Sequence, residues 1–163
     1  MSKVVYAPNP SSHKGNGINV FLAGSIDMGK AEDWQPVVAN ILEQLQEVGE
    51  IYNPRRLDFQ PDAVQSIDNA YFTQQVLWEL DHLEKADVVF MYLDPASKAP
   101  ISLLELGLLA RSDKLIVCCP KGFWRKGNVD VLCNRMGICV LDKMDTAIKA
   151  LCHIIHCKYL GIY

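Results

Sequence analysis

The sequence lacks the features that mark membrane, secreted and nucleic-acid-binding proteins. No apolar run approaches the about 20 residues that a membrane-spanning helix needs. Residues 1–17 contain no apolar core of the kind found in signal peptides. The formal net charge of −3 over 163 residues provides no strong field for a nucleic-acid polymer or an anionic membrane. We therefore expect a cytoplasmic protein that binds neither a membrane nor a nucleic-acid polymer.

The six cysteines lack C-x-x-C spacing, and the sequence has neither a G-x-G-x-x-G fingerprint nor a P-loop. Several cysteines lie in apolar runs such as LIVCCP, which favours reduced core residues over a disulfide framework. His153 and His156 could share a metal ion on one helix face, or they are helix-surface histidines beside packed cysteines. No second cluster of ligands stands out in the sequence. We therefore expect no metal and no organic cofactor.

Apolar runs of strand length alternate with helical patterns, which indicates one α/β domain over residues 1–163. The predicted strands are Ile18–Ala23, Glu50–Pro54, Asp87–Leu93, Lys114–Pro120 and Gly137–Leu141. The predicted helices are Asp33–Val48 with Gly49 as its stop, Ala70–Lys85, one that Ser102 starts, and Asp145–Cys157, while Gly122–Asn128 is predicted as a loop. This alternation predicts a single-domain, doubly wound, five-stranded and mainly parallel sheet with helices on both faces.

Polar residues follow three predicted strands at their carboxyl ends, where open parallel sheets bind ligands. These residues are Gly24, Ser25, Ile26 and Asp27 after the first strand, Asn53, Arg55 and Arg56 after the second, and Asp94 after the third. Gly24 is either a tight turn or part of a ligand site. The two arginines are either a solvated pair or contacts to an anionic ligand.

Glu105 has two interpretations. It lies three residues after Ser102, so it could be the capping-box partner of that residue at the start of a helix. The surrounding leucines predict a buried helix, however, where a carboxylate must be hydrogen-bonded or line a polar cavity. A position near a helix start also favours the ionised form, which suits a nucleophile. A nucleophilic carboxylate with a second acid–base carboxyl group is typical of retaining glycosyl transfer.

Four ordered blocks between about Val20 and Val140 resemble the nucleoside 2-deoxyribosyltransferase family, in its FLAGSI/NPRR/SLLELG branch. They are FLAGSID, NPRR, Q-V-x-W-E-L-x-x-L-x-x-A-D-V-V-x-M-Y-L-D-P and P-I-S-L-L-E-L-G. The resemblance implies a flavodoxin-like fold and a homo-oligomer whose active sites border a neighbouring subunit. It also implies that the substrates are a deoxynucleoside and a free nucleobase.

The resemblance also assigns roles to individual residues. Glu105 matches the nucleophile that attacks C1′, Asp81 matches an aspartate that assists at the acid–base step, and Asp94 resembles another active-site aspartate. Asn128 resembles a residue supplied by a neighbouring subunit, and Tyr163 resembles a C-terminal tyrosine that reaches the site. The remaining substrate-binding residues implied by the resemblance are Gly24, Ser25, Ile26, Asp27, Asn53, Arg55 and Trp78.

Two alternative functions stay open. The turn at Gly24 and Ser25 also resembles that of the 2′-deoxynucleoside 5′-phosphate N-hydrolases, which pass the sugar to water. In such an enzyme, Ser25 and Arg55 or Arg56 would bind the 5′-phosphate. The second alternative is a catalytically silent nucleotide-binding domain, since a fold alone does not establish a function.

Overall fold

The computed structural model describes residues 3–12, 15–27 and 32–162. The strands in these ranges are β1 Val4–Tyr6, β2 Ile18–Gly24, β3 Val48–Asn53, β4 Val88–Tyr92, β5 Leu115–Cys118 and β6 Cys139–Leu141. They form one sheet in the order β1-β3-β2-β4-β5-β6, and every neighbouring pair is parallel. The doubly wound parallel sheet is therefore confirmed and is consistent with a flavodoxin-like fold, with one more strand than predicted.

The helices are α1 Gln35–Leu42, α2 Ala70–Lys85, α3 Pro100–Leu109, α4 Lys126–Met136 and α5 Met144–Leu160. The buried residues of α1 and α5 pack on one face of the sheet, and those of α2, α3 and α4 pack on the other. Within the described ranges, no helix combines the length and the apolar character needed to cross a membrane. The prediction of helices on both faces is confirmed.

Several predicted element boundaries are wrong. The first helix ends at Leu42 rather than at Val48, and Gly49 lies inside β3 instead of stopping a helix. The predicted loop Gly122–Asn128 contains the first turn of α4. The bounds of α2 are those predicted, because Asn69 caps the helix by accepting the Phe72 N–H at 2.9 Å.

The chain reverses its direction of winding between β2 and β4, since β3 flanks β2 on one side and β4 flanks it on the other. Gly24 ends β2 opposite Tyr92 with φ +130°, and a Cβ atom there would lie 2.0 Å from the Tyr92 carbonyl oxygen. Only glycine fits this close approach. Ser25 then donates its N–H to the same oxygen at 2.8 Å. The carboxyl ends of the two central strands are thereby joined at the crevice expected for a ligand.

Candidate functional site

Glu105 lies in the second turn of α3, on its buried side. The prediction from the surrounding leucines that the whole helix is buried is wrong, because Leu104 and Leu108 are exposed on its other side. Helix α3 begins at Pro100, its N-cap is Ala99 with φ 42°, and no side chain caps it. Ser102 is a buried helical residue and not an N-cap, so the predicted capping box is wrong. Glu105 is only 7% exposed. Helix capping therefore does not explain this carboxyl group, and its burial needs a different explanation.

The surroundings of Glu105 disfavour its ionised form. Burial, and second the negative charge of Glu79, raise the pKa of Glu105 from an ordinary 4.5 to about 8. The expectation that the helix start keeps Glu105 ionised is therefore wrong for the ligand-free protein. Desolvation outweighs the favourable end of the helix dipole, whose effect fades beyond the first turn.

Glu79, on α2, is the carboxyl group that acts on Glu105. Glu79 is partly buried, and burial raises its pKa from 4.5 to about 7, although a hydrogen bond from Gln75 opposes this rise. Two nearby carboxyl groups repel each other when both are ionised, so the negative charge of Glu79 favours the protonated form of Glu105. Sequence reasoning missed Glu79. Its spacing of four residues from Gln75 is the signal that places both on one helix face.

Asp81 and Trp78 lie on either side of Glu79 in the sequence but in different surroundings. Asp81 is exposed on α2. Trp78 is buried, its indole N–H donates to the Asn9 carbonyl at 2.7 Å, and its ring stacks on His82 with centroids 4.0 Å apart. The indole thus ties the N-terminal segment to α2.

Ser25 and Asp94 connect the loops at the central crevice. The Asp94 N–H donates to Ser25 Oγ at 2.9 Å, and Asp94 Oδ1 accepts the Ala96 N–H at 2.8 Å. The Trp34 indole N–H donates to the Ser25 carbonyl at 3.1 Å. Both polar side chains are buried, and these bonds fix the backbone around the crevice. Next to Ser25, Ile26 and Asp27 are partly buried, and Asp27 has φ 46°.

The basic residues after β3 are engaged within the protein. Asn53 is buried and accepts the Arg55 N–H at 3.1 Å. Arg55 Nε lies 2.9 Å from Gln35 Oε1 and 3.0 Å from Asp33 Oδ1. Arg56 donates to both carboxylate oxygens of Asp58, at 2.8 and 2.9 Å, and its guanidinium lies over the Tyr71 ring. Neither side chain is a simple solvated cation.

The two remaining predicted residues are Asn128 and Tyr163. Asn128 is in α4 and lines a cavity of about 320 Å³. The other lining residues are Leu103, Leu106, Trp124, Arg125, Val129 and Leu132. Tyr163 lies outside the described residues.

The histidines of α5 have protein partners. His156 Nδ1 lies 3.1 Å from Glu47 Oε1, and His153 Nε2 lies 3.6 Å from Cys157 Sγ. Within the described ranges, no three His, Cys, Asp or Glu side chains converge as metal ligands.

Most of the chain matches the model of a known protein family. A family model described as nucleoside 2-deoxyribosyltransferase like matches residues 17–123, which include β2, β4, Glu79 and Glu105. A search of curated proteins finds no significant match. The family model covers more than half of the sequence. The chain therefore belongs to the nucleoside 2-deoxyribosyltransferase-like family.

Proposed function

We propose that the chain is a nucleoside 2-deoxyribosyltransferase that moves 2-deoxyribose between nucleobases through a covalent ester on Glu105. The observation that carries this proposal is the pair formed by buried Glu105 and partly buried Glu79, in which burial raises the pKa of each carboxyl group. Retaining glycosyl transfer uses one carboxylate as nucleophile and a second carboxyl group as acid and base. Family membership supports the same class of reaction.

In the first step, ionised Glu105 attacks C1′ of the deoxynucleoside while the bond from C1′ to the base nitrogen breaks. The departing base takes a proton from Glu79, which becomes a carboxylate. An incoming base then gives its proton to Glu79 and attacks C1′, which releases Glu105. Positive charge that develops at C1′ favours the ionised form of Glu105, so substrate binding draws the single proton of the pair to Glu79.

We assign the acid–base role to Glu79 in place of Asp81. Glu79 acts electrostatically on Glu105, whereas Asp81 is exposed on the same helix. The role of Asp94 in catalysis, the cytoplasmic location and all the predicted substrate-binding roles stay predictions. Those roles concern Gly24, Ser25, Ile26, Asp27, Asn53, Arg55, Trp78, Asn128 and Tyr163.

The engagement of Arg55 and Arg56 favours an unphosphorylated deoxynucleoside over a 5′-phosphate. A phosphate needs cationic or N–H donors, and both guanidinium groups already bind protein oxygens. The carboxyl pair also argues against a catalytically silent domain, because withdrawing two ionisable groups from water without use opposes folding.

Base exchange tests the proposal directly. The protein is incubated with deoxyinosine, free adenine and free cytosine, and the products are separated by chromatography beside Glu105→Ala. New deoxynucleosides from the wild type alone support the proposal. Free base and deoxyribose 5-phosphate from deoxynucleoside monophosphates, without exchange, would establish the hydrolase instead. Binding without turnover, with an affinity that Glu105→Ala leaves unchanged, would indicate the silent domain.

We also propose that the chain forms a homo-oligomer through α3, with active sites at the border between subunits. Ile101, Leu104 and Leu108 are 61%, 64% and 61% exposed, and their spacing places them along one side of the helix. Such an apolar stripe on a helix is typical of a protein interface. Light scattering of Leu104→Lys should show a smaller assembly than the wild type. The control Leu57→Lys, at a loop position that is 83% exposed, should not.

A further inference from the structure

The side-chain amide of Gln75 makes two hydrogen bonds beside the carboxyl pair. Its Nε2 donates to Glu79 Oε1 at 2.7 Å and to the Pro54 carbonyl at 2.8 Å. Pro54 follows β3 directly, so the amide connects the carboxyl end of a strand to a carboxyl group on α2. Because the Pro54 carbonyl is anchored at the end of the strand, these two hydrogen bonds fix the position of the Glu79 carboxyl group relative to the sheet.

These two acceptors also fix the orientation of the amide. Both hydrogens of an NH2 group are used, one for each oxygen. A flipped amide would place its own oxygen against the Pro54 carbonyl, which has no hydrogen to donate. The network therefore assigns Nε2, and not Oε1, to this side of Gln75.

The energetic cost of burying the Gln75 amide indicates that this side chain does more than fill space. Gln75 Oε1 is buried and has no hydrogen-bond partner among the described residues. An unpaired buried oxygen opposes folding, and an apolar side chain of similar length would avoid that penalty. The compensation lies in the bond to Glu79.

We propose that Gln75 is a positioning residue for the transfer reaction, holding Oε1 of Glu79 so that Oε2 is the oxygen that exchanges a proton with the nucleobase. This inference rests on the proposed function. Because Oε1 accepts from Gln75, a proton carried by Glu79 sits on Oε2. As the bond from C1′ to the base breaks and the bond from C1′ to Glu105 forms, that proton moves from Oε2 to the base nitrogen. The incoming base returns it to the same atom.

The test compares Gln75→Met with Gln74→Met. Methionine keeps the chain length and helix propensity of glutamine but cannot donate. Gln74 is the exposed neighbour on α2, so it provides the same substitution outside the site. The measurements are kcat and KM for base exchange against pH, and the carbon-13 NMR titration of the glutamate carboxyls in the ligand-free protein. Thermal unfolding checks that both variants fold.

For Gln75→Met we expect kcat to fall about tenfold while KM changes little, because a general acid loses its alignment. The Glu79 carboxyl should also titrate at a higher pH than in the wild type, because its ionised form loses a donor. A merely structural role would not move that titration. Gln74→Met should match the wild type in both measurements.

Two negative outcomes are distinguishable. An active wild type together with wild-type rate and titration curves for Gln75→Met would overturn the positioning role and leave the proposed function standing. A wild type without any transfer would overturn the proposed function and the catalytic part of this inference with it, while the NMR titration still decides whether Gln75 tunes Glu79. Should Gln75→Met fail to fold, Gln75→Asn, which retains the amide but shortens its reach, takes the same measurements.

Discussion

Replacing Glu105 with glutamine should make the protein more resistant to alkaline pH, although it removes the proposed nucleophile. The pKa of this group is about 8 in the folded protein against an ordinary 4.5. An acid whose pKa is higher in the folded state loses its favourable protonated form as the pH rises, so the free energy of unfolding falls between these two values. Each pH unit lowers the free energy of unfolding by about 1.4 kcal/mol, so it falls by about 4 kcal/mol from about pH 5 to about pH 8.

Urea denaturation of wild type and Glu105→Gln at about pH 5, 7 and 9 measures this difference. The stability of the variant relative to the wild type should increase by about 4 kcal/mol over this range, because glutamine does not titrate. Titrating groups that do not interact with Glu105 affect both proteins equally and cancel in the comparison. Glu84→Gln, on the exposed side of α2, is the matched control and should follow the wild type. Parallel curves for wild type and Glu105→Gln would refute the conclusion that Glu105 is buried in protonated form.

Two substitutions test how the crevice is built. Gly24→Ala should destabilise the protein by more than about 3 kcal/mol, because the new Cβ would lie 2.0 Å from the Tyr92 carbonyl oxygen. The control Gly127→Ala places its Cβ in open space and should change stability by less than about 1 kcal/mol. Equal melting temperatures for the two variants would contradict this expectation. Ser25→Ala should lower the free energy of unfolding, measured by urea denaturation, by about 1–3 kcal/mol, because the buried Asp94 N–H loses its acceptor. An unchanged denaturation midpoint would mean that water replaces the hydroxyl group.

The layered architecture was predictable because the central strands are apolar on both faces. Strands β4 and β5 are buried almost throughout and β2 is buried over residues 20–23, so their sequences contain continuous apolar runs. Strand β1 has only three partly buried residues, and its pairing of Val4 with Ile51 depends on a strand distant in sequence. Short edge strands of this kind carry little local signal.

The start of α3 shows where local pattern was misleading. A serine followed three residues later by a glutamate predicts a capping box, yet the helix begins earlier, at Pro100. Proline is favoured at the first helical position because its ring fixes φ and its missing N–H is not needed there. Recognising Pro100 as the start would have placed Glu105 in the second turn. The carboxyl group would then have needed a reason other than capping.

The second carboxyl group was missed because a pattern match does not set the rotational phase of a helix. Residues two apart lie about 200° apart around an α-helix, so Glu79 and Asp81 cannot both face the sheet. The buried side chains of α2 determine which one does. Trp78 and His82 are buried and stack on each other, and Gln75 and Glu79 share the same spacing of four residues. These four form one stripe at i, i+3, i+4 and i+7. Around the helix, about 60° separates Trp78 from Asp81 and about 100° separates it from Glu79. A core-facing Trp78 therefore does not select Glu79 over Asp81, and the choice follows only from the burial of His82 and the hydrogen bond from Gln75 that the structure shows.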